Sequence, residues 1–268
     1  MPRIAPSTAV LLLLLALVAL APWVAPFDRN AMDFAAVLQP PGPGALMGTD
    51  QFGRDYALRL LHAGRPALMI AGAVTLLSFA LGVPLGLLAA LAGGVVDLVV
   101  MRLLEIGFAI PPLVFAVAIL GVLGPSQTGL VISLAVAFTP LVARITRAAA
   151  LARNEELFVL AARAAGATPI SVALGQILPN IAGTLVTQAA LVFSYAILAE
   201  ASLSFIGLGT SARDPSWGRL LTEAIPLTTI APWLGLFPGA AIVLVVMLLN
   251  IRADSWGGAL DPRLRHPG

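Results

Sequence analysis

Residues 153–180 read RNEELFVLAARAAGATPISVALGQILPN, and the local signals in this stretch describe a bent pair of helices. Asn154 reads as an N-cap, with Glu155 and Glu156 in the first turn, where carboxylates favour the positive end of the helix dipole. Leu157 to Ala165 are good helix formers apart from Phe158 and Val159, and Gly166 reads as the C′ terminator. Thr168 then makes a fresh N-cap, with Pro169 at the first helical position. Pro179 and Asn180 are expected to break the second short helix.

The flanks of this element are apolar. Of 268 residues, 59% are hydrophobic and only 10% charged, with a mean hydropathy of +0.99. A soluble domain carries about 25% charged residues, so this composition excludes an ordinary soluble enzyme and a disordered chain. Six apolar stretches stand out, at about 9–26, 66–92, 103–123, 128–150, 181–205 and 232–251, each long enough to cross a bilayer. The expected fold is all-α, a polytopic membrane protein with six transmembrane helices. The organisation reads as an N-terminal helix and outer loop (1–65), a five-helix core (66–251) holding the bent loop 153–180, and a tail (252–268). The first stretch competes with a secretory signal peptide, since Ala19-Leu20-Ala21 resembles a cleavage site. Its length and the anchor Trp23 favour an uncleaved span. Gly and Pro punctuate the spans, and Gly82 with Gly86 forms a GxxxG pair that fits either helix packing or a dimer seam.

Six spans place both termini on one side of the membrane. With the termini inside, the inner segments carry nine Arg and the outer segments six, a bias in the expected direction. The bent loop then faces the cytoplasm. Ala161, Ala162, Ala164, Ala165 and Ala167 leave a small-residue surface around its turn, with Arg163 as the one long polar handle. Two readings stay open on these residues: a docking knob for a cytoplasmic partner, or helices lying at the bilayer surface.

Several chemistries are missing. The chain has no Cys, and all 15 basic residues are Arg, so it offers no thiolate, no Schiff-base lysine and no Walker A lysine. Its two His, His62 and His266, are far apart in sequence, which argues against a multi-His metal site. HExxH, GxSxG and paired intramembrane aspartates are absent, leaving an intramembrane protease nothing to work with. A net charge of +2 is too small to suggest nucleic-acid binding.

The run AARAAGA followed by ILPN resembles the EAA loop of the inner-membrane subunits of binding-protein-dependent ABC importers. Gly166 and the pair Leu178-Pro179 stand where that motif has its glycine and its leucine–proline. The chain departs at Leu160, where the family usually has glutamate, and at Gln176, where it has isoleucine. Three further segments resemble the dipeptide, oligopeptide and nickel branch: GTDQFGRD (48–55), EASLSFIGLG (200–209) with Pro215-Ser216-Trp217-Gly218, and ALDPRLR (259–265). The likeness is greatest to the second of the two permease subunits in such systems.

This resemblance implies the type I ABC importer transmembrane fold in a bacterial inner membrane, with N- and C-termini cytoplasmic. It implies a heterodimer with a second homologous permease, two cytoplasmic ATPase subunits and an extracytoplasmic substrate-binding protein. The chain itself would hold no cofactor, ATP and Mg belonging to the ATPases. Leu160, Ala161, Ala162, Arg163, Ala164, Ala165, Gly166 and Ala167 would form the ATPase-coupling loop. The cargo stays open among dipeptides, oligopeptides, nickel chelates, opines, glutathione and haem. The alternative function is a stand-alone, ion-coupled secondary transporter; the absence of a visible internal repeat weighs against it.

Other residues carry narrower expectations. Thr49 and Asp50 read as caps for a helix running through Arg54, Asp55 and Arg59 into the second span. Their charges are expected to hold an outer loop together or to touch the binding protein. Pro40 to Gly44 reads as a turn-rich connector rather than an ordered element. Glu200 is an ionisable group in the outer half of the fifth span, where it reads as a pathway or gate carboxylate or as a helix–helix hydrogen bond. Arg102 and Glu105 read as interfacial, Asp97 as part of a short inner loop, His62 as a packing residue, and Trp217, Trp233 and Trp256 as aromatic-belt anchors.

Overall fold

The structure is a computed structural model and describes residues 6–24, 32–108, 110–209 and 216–260. The expectations on Arg3, Arg29, Arg213, Pro215, His266 and most of ALDPRLR lie outside the described residues. Among those described there is no strand. The chain runs through α1 (Pro6–Val24), a 3-10 turn (Phe34–Ala36), α2 (Tyr56–Ala92), α3 (Gly94–Phe108), α4 (Pro112–Leu123), α5 (Gln127–Asn154) and α6 (Leu157–Ala164). It continues through α7 (Pro169–Ser171), a π-helical stretch (Val172–Ile177), α8 (Leu178–Phe205), α9 (Trp217–Ala224), a 3-10 turn (Ile225–Leu227) and α10 (Trp233–Leu260).

The chain divides into two compact units. One comprises Met1–Gly72, Leu120–Leu130 and Ser194–Leu249; the other comprises Ala73–Ile119, Val131–Phe193 and Asn250–Gly268. Four helices among the described residues are long and apolar enough to span a membrane: Tyr56–Ala92, Gln127–Asn154, Pro169–Phe205 and Trp233–Gly257. The six expected spans therefore need qualification. α1 is a shorter apolar helix, and the third stretch, expected to be one helix over 103–123, is two helices meeting at 84°. The cause is Pro111-Pro112: neither ring nitrogen can donate, and each proline drives the residue before it out of the helical region. α4 starts afresh there, Phe115 N–H donating to the Pro111 carbonyl at 3.0 Å.

A second correction concerns the end of the bent loop. Pro179 and Asn180 do not break the helix; one helix runs through Pro169–Phe205. Pro179 cannot donate to the Gly175 carbonyl, and in a regular α-helix its ring would crowd that carbonyl. The ladder widens instead, with Leu178 N–H donating to the Ala173 carbonyl, five residues back, and the Asn180 side-chain amide donating to the Gln176 carbonyl at 2.7 Å. A π-type turn of this kind absorbs the missing bond without ending the helix.

Gly82 and Gly86 serve packing inside the chain. A Cβ on Gly82 would lie 2.7 Å from Val142 Cβ, and one on Gly86 would lie 2.4 Å from the Ala143 carbonyl oxygen. The pair is the seam by which α2 meets α5. Pro40 to Gly44, expected to lack order, is a hydrogen-bonded turn, with Gly42 and Ala45 exchanging backbone bonds of 2.9 and 3.1 Å.

Candidate functional site

The turn between α6 and α7 closes as its sequence suggests. Gly166 N–H donates to the Arg163 carbonyl at 2.9 Å and Ala167 N–H to the Ala162 carbonyl at 3.0 Å, the paired bonds of a Schellman motif. Gly166 has φ +85 with no atom within 4 Å of where a Cβ would stand. Glycine is thus required for backbone conformation, not for space. Thr168 Oγ1 accepts from Ser171 N–H at 3.2 Å, with Pro169 at the helix start.

The start of α6 differs from the expectation. Asn154 is the last residue of α5 and caps nothing; Glu156 occupies the N-cap position without a side-chain cap bond. Arg153 instead bridges to Glu156 at 2.8 Å, and Asn154 Oδ1 accepts from Arg163 Nη2 at 2.6 Å. Arg163 is exposed, yet its guanidinium is tied back across the bend, so it braces α5 against α6 instead of standing as an open handle.

The turn has a buried root and an exposed crest. Val159, Val172 and Ile177 are buried with Leu87, Ala90, Ala150 and Ile181, and Phe158 and Ala167 pack on that cluster. Leu160, Ala161, Arg163, Ala164, Ala165 and Gly166 are exposed, and Ala162 is half-buried. Two large apolar side chains that sequence reasoning missed join the crest: Leu157 at 84% and Ile170 at 72% exposed.

In the other unit, the GTDQFGRD segment is organised by one carboxylate. Asp50 is fully buried; its Oδ1 accepts from Phe52 N–H at 2.8 Å and Arg54 N–H at 3.0 Å. Its Oδ2 accepts from Arg54 Nε at 2.8 Å and Arg59 Nη1 at 2.9 Å. Arg59 also bonds Glu223 on α9, a partner that nothing in the local sequence announces. Thr49 and Asp50 are therefore not helix caps: Asp55 caps α2 through Leu58 N–H at 3.0 Å, and the Tyr56 hydroxyl donates to the Leu234 carbonyl at 2.6 Å. The expectation that these charges hold a loop together describes the geometry.

α9 packs on the end of α8 through small residues. A Cβ on Gly218 would lie 2.3 Å from the Ala201 carbonyl oxygen. Trp217, expected in an aromatic belt, is only 3% exposed, with Nε1 donating to the Leu60 carbonyl at 3.0 Å. Its ring fits because residue 64 is glycine, where a Cβ would come within 2.6 Å of it. Glu200 lies in this packing with 0% exposure. Its Oε1 accepts from the Ser204 hydroxyl at 2.6 Å, Oε2 has no hydrogen-bond partner, and Ser216, the N-cap of α9, lies beside the carboxylate. Among the described residues no group of His, Cys, Asp and Glu is arranged to hold a metal ion.

Residues 82–266 match the family described as binding-protein-dependent transport system inner membrane component. Over 252 residues the chain is 39% identical to the di/tripeptide transport system permease protein DppC of Pseudomonas aeruginosa, covering 92% of this chain and 83% of that one. It is 35% identical over 263 residues to the dipeptide transport system permease protein DppC of Haemophilus influenzae, covering 96% and 89%. In fold it is similar to a chain of the MetNI methionine ABC transporter in an inward-facing conformation. That likeness has a TM-score of 0.66 at 20% identity, over 77% of this chain and 98% of that one.

Proposed function

Because the chain belongs to the binding-protein-dependent transport system inner membrane component family, we propose that it is a permease subunit of an ABC importer for di- or oligopeptides or similar small solutes. The observation that carries the reading is the 39% identity to a di/tripeptide permease over nearly the whole length. In this account the chain is a non-catalytic, multi-pass inner-membrane subunit with both termini in the cytoplasm. It pairs with a second homologous permease, and its core, residues 66–251, lines part of the path. A binding protein delivers cargo from outside, and two cytoplasmic ATPases hold ATP and Mg.

Free energy then has to enter mechanically, and the α6–α7 turn is built for that. Its crest of Leu160, Ala161, Ala162, Arg163, Ala164, Ala165 and Gly166 docks into an ATPase surface, and Ala167 of the same coupling loop ties it to the root. Its buried root and the Arg163–Asn154 brace let it move as one body. Since α7 runs without interruption into α8, a push on Gly166 displaces the axis of a spanning helix and shifts the balance between inward- and outward-open states. Glu200, towards the far end of that helix, serves the outer gate by holding α9 against α8 while the gate is shut.

Proteoliposomes discriminate this reading from a stand-alone, ion-coupled transporter. Peptide uptake is expected only with both permeases, the ATPases, the binding protein and ATP, and is expected to survive an ionophore. Uptake by this chain alone that an ionophore abolishes would overturn the proposal.

A further inference from the structure

Two adjoining cavities lie along α3, within one compact unit. The first, of about 340 Å3, is lined by Asp97, Met101, Leu104, Glu105, Arg144 and Arg147 among others; ligand sites range over roughly 300–1,000 Å3. The second, of about 230 Å3, is lined by Leu81, Leu103, Leu104, Ile106, Phe115 and Val136 among others. Leu104 belongs to both, so a charged chamber and an apolar slot share a wall on α3.

The charges in the first chamber balance. Arg147 grips Asp97 through two bonds of 2.5 Å, which fixes α3 against α5; Glu105 and Arg144 line the same space. Glu105 also pairs with Arg102 at 2.9 Å, both largely exposed. A guanidinium with five donors can serve a phosphate as well as another acceptor, and Glu105 offers acceptors to an ammonium group. Leu98, which lines the chamber, and Val95, Leu103 and Ile106 beyond it are each more than half exposed, so that face of α3 is suited to hydrocarbon. A ligand with a zwitterionic head and a long apolar chain matches the arrangement; a peptide has the head but not the chain.

We propose that the chamber at Asp97, Glu105, Arg144 and Arg147 and the slot at Leu81, Leu103 and Phe115 form one binding site for a phospholipid with a zwitterionic head. The phosphate lies at Arg144, the ammonium at Glu105, and an acyl chain follows α3 toward the α3–α4 bend. The site is independent of the cargo and of ATP coupling.

The full chain, purified in detergent, is offered phosphatidylethanolamine or phosphatidylglycerol of equal acyl length, and retained lipids are counted by mass spectrometry of the intact protein. The parent is expected to keep one phosphatidylethanolamine several-fold more than phosphatidylglycerol. Arg144→Gln should lower retention about tenfold, the loss of one charge-assisted contact. Glu105→Gln, at an exposed position that leaves packing intact, should shift the preference toward phosphatidylglycerol. Equal retention of both lipids by the parent, or an unchanged preference in both variants, would overturn the proposal. So would labelling of Met101 or Leu104 by a photoreactive dipeptide that displaces the lipid, or loss of the lipid when the second permease is co-purified.

Discussion

Single residues hold the two working regions in shape for different physical reasons. At Gly166 the reason is backbone conformation: φ is +85 and the space around it is open. A side chain there meets a torsional penalty of about 1–2 kcal/mol and no clash. Gly166→Val is therefore expected to insert into the membrane at the parental level and to lose most ATP-driven uptake, because the Schellman bonds that aim the turn are displaced. Parental uptake by that variant would contradict the coupling assignment. At Asp50 the reason is charge. This fully buried carboxylate faces Arg54 and Arg59, and removing one partner of a buried pair costs about 3–5 kcal/mol. Asp50→Ala should lower the midpoint of thermal unfolding in detergent markedly, while leaving the exposed Arg102–Glu105 pair and its surroundings untouched. A midpoint within a degree of the parent would show that Arg59 finds full compensation at Glu223.

At the scale of elements, the π-type turn ahead of Pro179 joins the α6–α7 turn to α8. Pro179→Ala restores the donor for the Gly175 carbonyl, so hydrogen exchange over Ala173–Asn180 is expected to slow. If exchange there stays as fast as in the parent, the proline is not what widens the ladder. This element also marks the limit of what was legible in advance. Gly166, Thr168 and Pro169 obey rules that act over two or three residues, and those readings describe the turn as it stands. Pro179 obeys a similar rule, yet the Asn180 side chain and a five-residue hydrogen bond override it. Asn154 looked like a cap because its type favours caps, but α5 runs one turn farther and Arg163 claims the side chain. Trp217 is buried because Gly64, more than 150 residues earlier in the chain, leaves room for its ring, and Glu223 meets Arg59 across a similar separation. Such partners are invisible to local pattern. The bend at Pro111-Pro112 was signalled by the prolines themselves, although apolar content alone suggested one continuous span.

For the whole molecule, which belongs to the importer permease family, the proposal is that energy arrives by mechanical coupling. The crest of the α6–α7 turn is where that coupling is proposed to occur. The chain contains no cysteine, so a single introduced thiol is the only one it carries. The most direct measurement is Ala165→Cys in the assembled transporter, treated with a short thiol-reactive photo-crosslinker with and without ATP. The expected result is a covalent product with an ATPase subunit, a yield that changes with ATP, and uptake that stops once the link forms. A product only with lipid, the second permease or the binding protein, together with undiminished uptake, would contradict the account.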